Sequence, residues 1–138
     1  MNYTKNYHLN QWDAADRVLR EDFNRDNETI DAALETIPHF VIGTYTGDGA
    51  ETRTISLDFT PKALYVVASD GMSFRYSSGT SQLCGGLVFP DVPAKDTYHQ
   101  RTFLEICENG FRVVCDVEYS IYLYTNQENM VYHYIAWQ

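Results

Sequence analysis

Four carboxylates, Glu105, Glu108, Asp116 and Glu118, fall close together in the second half of the chain. Two such groups held roughly 5 to 10 Å apart can hydrolyse a glycosidic bond. Here they alternate with apolar residues, as the solvent face of a strand pair does, so the expectation is an acidic surface and no catalytic site. There is no G-x-S-x-G elbow, no P-loop and no dinucleotide fingerprint. His8, His39, His99 and His133 include no i, i+4 pair on a helix and none at metal spacing from a cysteine, so no metal and no cofactor are expected. Cys84, Cys107 and Cys115 are odd in number, which argues against a complete disulfide framework. Buried free thiols are the better reading.

Binding chemistry has better candidates. Phe74, Tyr76, Tyr98 and His99 fall in two long polar loops. Aromatic rings on exposed loops stack on a sugar or fill a partner's pocket. The alternative is that they tuck under the loops as small satellite cores.

A chain of 138 residues holds one ordinary domain plus an appendage, and 44% hydrophobic content is normal for a globular fold. Eleven of the aromatic residues are tyrosines, which suit half-buried strands and contact surfaces. The net charge is −9: residues 1 to 38 carry four basic and eight acidic groups (−4), and the rest carries six and eleven (−5). Spread acidity disfavours nucleic acid and anionic lipid as partners. No run of about 18 apolar residues is present, so no membrane span is expected. The first ten residues lack a signal-peptide core. A protein made in the cytoplasm and not exported by the usual route is expected.

The elements that must position these residues change character at Pro38. Before it, apolar residues recur at helical spacing over residues 9 to 37. Asn10 is the expected N-cap, Trp12, Ala15 and Leu19 continue one face, and a second helix start at Asp22 would make the segment a bent pair. Phe23, Ile30 and Ile37 sit seven apart with Asn27 and Leu34 between them, as d and a positions of a heptad. That stripe is narrow, and buried Asn fixes register in coiled coils, so Phe23, Asn27, Ile30, Leu34 and Ile37 are expected to form an oligomerising seam.

After Pro38 the pattern is that of strands. They are expected at residues 39 to 46, 52 to 59 and 63 to 68, at 83 to 89 with a bulge or close approach at Gly85-Gly86, in a hairpin of residues 101 to 107 and 111 to 117, and in a last hairpin of residues 120 to 125 and 130 to 137. Asn109-Gly110 reads as the turn of the first hairpin, pairing Glu108 with Phe111 and Cys107 with Arg112. Residues 69 to 82 read as a long loop holding at most a short hairpin. The expected fold is α+β, mainly β. A helical coiled-coil stalk in residues 1 to 38 carries an antiparallel β-sandwich head in residues 39 to 138, as a homotrimer.

Residues 7 to 37, reading YHLNQW, DRVLREDFN and DNETIDAAL in turn, resemble the N-termini of tail-fibre proteins from phages and prophages of Gram-positive bacteria. Residues 59 to 67 (FTPKALYVV) and 132 to 136 (YHYIA) are similar, more loosely, to strands of such tips. The resemblance implies a homotrimeric structural protein of the virion tail, docked through residues 1 to 22 to a baseplate or tail-tip protein and touching a host-surface glycan or protein. It brings no catalytic motif. The alternatives are a stand-alone carbohydrate-binding module and, behind it, a small glycan-cleaving enzyme using Glu105 or Asp116.

Overall fold

Side-chain hydrogen bonds, and not helical periodicity, govern the chain before Arg20. The computed structural model describes residues 2 to 138. It divides into two compact units, Met1–Pro38 and His39–Gln138.

In the first unit, β1 (Asn2–Tyr3) pairs antiparallel with β2 (Asn10–Gln11), and α1 spans Arg20–Glu35. Asn10 is therefore not the expected N-cap. It is buried, its N–H and Nδ2 each donate to a different oxygen of Asp26 at 2.9 Å, and its Oδ1 accepts from Arg25 at 3.1 Å. Its side chain pins a strand against the middle of α1 instead of capping it. Between the two, the Asp13 N–H donates to Asp16 Oδ2 and the Asp16 N–H to the Asp13 carbonyl, each at 2.9 Å. Short acidic side chains that bond the nearby backbone compete with a helix. This is why Trp12, Ala15 and Leu19 lie outside it, with Trp12 stacked on Phe23 at 5.8 Å between ring centres. No helix among the described residues is long and apolar enough to cross a membrane.

The second unit is mainly β and sandwich-like. Its strands are β3 (Phe40–Thr46), β4 (Thr52–Ser56), β5 (Ala63–Ala68), β6 (Phe74–Ser77), β7 (Thr80–Leu83), β8 (Gly86–Val88), β9 (Ala94–Lys95), β10 (Thr102–Cys107), β11 (Gly110–Glu118), β12 (Ile121–Tyr124) and β13 (Val131–Trp137). One sheet has the order β3-β13-β5-β8; the other runs β6-β7-β12-β11-β10-β9, with β4 also beside β11. Leu64, Val66, Val88, Tyr132 and Ala136 of the first sheet and Leu104, Phe111, Val113 and Leu123 of the second are buried in one core. The two-residue alternation of side chains in β5 and β13 puts these residues on one face.

Strand β11 changes neighbour along its length. Its residues 110 to 114 pair with β4, and 115 to 118 pair with β12. At the change the Val114 N–H has a side chain as its partner: it donates to Thr125 Oγ1 at 2.8 Å, and that hydroxyl donates to the Phe103 carbonyl at 2.6 Å. The next residue, Asn126, donates from Nδ2 to Asp48 Oδ1 at 2.7 Å and to the Ala50 carbonyl at 2.9 Å. Tyr45 and Tyr132, stacked 4.9 Å apart, donate their hydroxyls to the carbonyls of Thr125 and Tyr124. Thr125 and Asn126 are fully buried.

The structure corrects the sequence expectations for both hairpins. Residues 120 to 125 and 130 to 137 do not form a hairpin. β12 stays with β11 and runs parallel to β7, while β13 becomes a central strand of the other sheet. The first hairpin also closes earlier than expected, with Cys107 opposite Gly110 and Ile106 opposite Phe111. Its turn is Glu108-Asn109, with Asn109 at a φ of 55°. Gly110 is needed for another reason: a Cβ there would stand 2.2 Å from the Ile55 carbonyl oxygen on β4. Gly85 makes the expected close approach, where a Cβ would meet the Val66 carbonyl oxygen at 2.0 Å. The short hairpin allowed for within residues 69 to 82 is present as β6–β7, and the strand expected to reach Phe59 ends at Ser56. The three cysteines are free.

Two outcomes follow from the buried polar knot around Thr125. Thr125→Val strands the Val114 N–H without an acceptor and should lower the unfolding free energy by about 1 to 3 kcal/mol in urea titrations, with Thr125→Ser recovering most of it. Burial raises the Tyr45 phenol, with the neighbouring Tyr132 adding to the effect, and burial likewise raises Tyr132. Both must stay protonated to donate. Their contribution is whole below the ordinary phenol value of about 10 and is lost as pH rises past it. The urea midpoint should therefore fall between pH 9.5 and 11, and fall less steeply in a Tyr45→Phe, Tyr132→Phe double variant.

Candidate functional site

Asp96 organises the loop that carries Tyr98 and His99. Its carboxylate is buried. Oδ1 accepts the N–H of His99 at 2.7 Å and of Tyr98 at 3.1 Å; Oδ2 accepts the N–H and Nε of Arg101, both at 3.0 Å. Asp bonding the backbone two and three residues on is the usual way a short loop is closed. Burial works to raise the Asp96 carboxyl, but the N–H groups of His99 and Arg101 and the Arg101 guanidinium outweigh it and hold it below the ordinary carboxylate range.

Arg101 extends the arrangement to the neighbouring strands. Its Nη1 donates to Asp116 Oδ2 at 2.9 Å and to Glu118 Oε2 at 3.0 Å. Glu105 is engaged by Arg112 instead. Three of the four acidic residues singled out in the sequence are thus divided between two arginines, and Glu108 lies in the β10–β11 turn. Among the described residues no group of three or more His, Cys, Asp or Glu is arranged to hold a metal ion. A carboxylate facing one guanidinium keeps lone pairs free to accept hydroxyl hydrogens.

Aromatic surface surrounds this charged centre. Tyr98 is 81% exposed. His99 stacks on Tyr119 at 5.3 Å with 19° between the rings. Tyr119 takes a φ of 55° in the tight β11–β12 turn and is itself exposed. Sheet register places the other pair. Tyr76, Ser81, Ile121 and Glu118 form one row across β6, β7, β12 and β11, and Phe74, Leu83, Leu123 and Asp116 form a second. The buried Ile121 and Leu123 thus lie between Asp116 and Glu118 and, three strand spacings or roughly 14 Å away, Phe74 and Tyr76. Phe74 and Tyr76 are exposed. Of the four aromatic candidates, Tyr98 and His99 lie on the Asp96 loop with the acidic residues, and Phe74 and Tyr76 lie on the edge strand, separated from them by buried core side chains.

Sequence reasoning missed Asp96, Arg101 and Tyr119. The Asp96 to Arg101 spacing, an Asp opening a short polar segment that ends in Arg, is a legible turn signal; nothing local marks the stacking of His99 on a turn residue twenty positions later.

The second candidate surface lies on α1. Phe23, Asn27, Ile30 and Leu34 line one exposed stripe, and Ile37, also exposed, follows the end of the helix. The covered side of the helix is the polar one, where Asp26 holds Asn10. Compared with known protein families, with curated proteins and with solved structures, the chain matches none.

Asp96→Asn should lower stability at pH 7 by about 1 to 3 kcal/mol, since charge-assisted bonds are lost. The native carboxylate contributes fully above the unfolded value of about 3.9, and that contribution vanishes as pH falls through its lowered native value. A urea series from pH 7 to pH 3 should show a shallower decline in the Asn variant.

Proposed function

We propose that this chain is an attachment component of a bacteriophage or prophage tail, acting by adhesion and not by chemistry. Several copies associate through the Phe23, Asn27, Ile30, Leu34 and Ile37 stripe, with a homotrimer as the assembly. Residues 1 to 22 dock on a baseplate or tail-tip protein, and the aromatic surface around Asp116 and Glu118 meets a glycan of the host surface. One observation carries the reading: α1 turns its polar side to its own unit and leaves Ile30 and Leu34 exposed, with Phe23, stacked on Trp12 on one side, half open to solvent. A helix of this kind gains by burying the stripe against copies of itself. The resemblance of residues 7 to 37 to tail-fibre N-termini supports the same reading.

The chemistry of the aromatic surface around the Asp96 loop fits a sugar. Rings of Tyr98, His99 and Tyr119 offer flat apolar faces to C–H groups, and Asp116 and Glu118 accept hydroxyls. Single sites of that kind are weak. Three on one assembly raise avidity by roughly 10² to 10⁴.

Light scattering on the full chain should give three times the 15.9 kDa chain mass. Ile30→Ala should shift the assembly toward monomer, and Ile30→Asp should abolish it. Retention on isolated Gram-positive cell walls should fall by at least a hundredfold in Ile30→Asp. It should fall to background in a Tyr98→Ala, His99→Ala variant that keeps its mass. A monomeric wild-type chain that still binds walls would favour the stand-alone carbohydrate-binding module, which the same aromatic surface also suits.

A further inference from the structure

The β3-β13-β5-β8 sheet has two apolar faces. One is the core face. On the other, Ile42, Ile135, Tyr65 and Leu87 stand in register as a continuous row, with Phe40 and His133 on the rows either side. Ile42 is 67% exposed, Phe40 58% and Leu87 55%. No outward position on these four strands carries Asp, Glu, Lys or Arg, in a chain in which 21% of residues are charged. An antiparallel sheet with one face in water reads polar on that face. This one instead has a hollow of about 200 Å³ lined by Ile42, Tyr65, Val67, His133, Tyr134 and Ile135. Its walls are aliphatic and aromatic.

We infer that this outer face is an interface between copies of this chain, covered when the chains assemble. The inference rests on the self-association read above and adds a second surface to it. Area argues for a second copy as the occupant. A 16-residue helix is roughly 24 Å long, under four full heptads, and isolated helices of that length are marginal. Its stripe falls well short of the roughly 800 Å² per partner that a stable interface buries. Strand rise and spacing give the outer sheet face a footprint of roughly 450 Å². The two surfaces together approach what is needed, and neither does alone. Connectivity argues the same way. Ile37 ends the helical stripe and Phe40 opens β3, with Pro38 and His39 between them. Helices that associate would hold the attached sheets at millimolar effective concentration, close to one another. A net charge of −9 makes an uncharged face the least repulsive one for a second copy.

The test labels histidines of the full wild-type chain with diethyl pyrocarbonate and reads each by mass spectrometry. It is run at a concentration where light scattering shows assembly and after dilution to monomer. Assembly should slow labelling of His133 at least fivefold and leave His8, exposed in the first unit, unchanged. Ile42→Glu should raise the dissociation constant tenfold or more. An assembled chain whose His133 reacts as fast as in the monomer, or an unchanged constant for Ile42→Glu, overturns this interface while leaving helix-driven assembly intact. A chain that is monomeric at every concentration overturns both.

Discussion

The buried polar knot at Tyr124–Gln127 is the constraint on which the second unit depends. A strand that leaves one sheet to feed another exposes backbone groups in the core, and each left unpaired costs about 1 to 3 kcal/mol. Thr125 takes the Val114 N–H, Asn126 closes on Asp48 and Ala50, and the hydroxyls of Tyr45 and Tyr132 take the carbonyls of Thr125 and Tyr124. With these groups satisfied, β12 and β13 belong to different sheets. The register of β13 against β3 and β5 then decides which rows face the core. Tyr45 and Tyr132 point in, so Ile42, Ile135 and Tyr65 point out.

That consequence links the fold to its surfaces. The chain carries an aromatic, carboxylate-lined face, an apolar sheet face and an apolar helical stripe, each of different chemistry. The polar knot and the Asn10–Asp26 clasp both occupy positions where an apolar contact would be expected, and both leave apolar residues outward. Apolar surface in water costs roughly 25 cal/mol per Å². In the reading proposed here, copies of the chain cover the sheet face and the helical stripe, and the aromatic surface stays free for a ligand.

Much of the β unit was legible from residue types. Alternation marked β4 and the apolar run marked β5, although β5 is buried on one face only and Tyr65 stands on the other, exposed one. Gly85 announced a close backbone approach. The failures share a cause. Asn10 looks like a cap, but its amide is matched to Asp26, sixteen positions away. Asn109-Gly110 looks like a turn, but the glycine is spent on the approach of Ile55. Residues 120 to 137 look like a hairpin because nothing local reveals that Thr125 and Asn126 will be buried between sheets. Local signals name the residue types correctly; the partner that uses them is set by tertiary contact. The site follows the same rule. Tyr98 and His99 were visible as exposed aromatics, while the Asp96–Arg101 anchor and the Tyr119 stack exist only once the loop and the β11–β12 turn are brought together.

The claim that α1 keeps its apolar stripe for copies of itself is tested most directly by hydrogen exchange of the amides of Arg20–Glu35, followed over a hundredfold range of chain concentration. Association predicts that exchange across Phe23 to Leu34 slows as concentration rises, since these amides open only when the helices part. Exchange in this segment that is equally fast at every concentration would contradict the account.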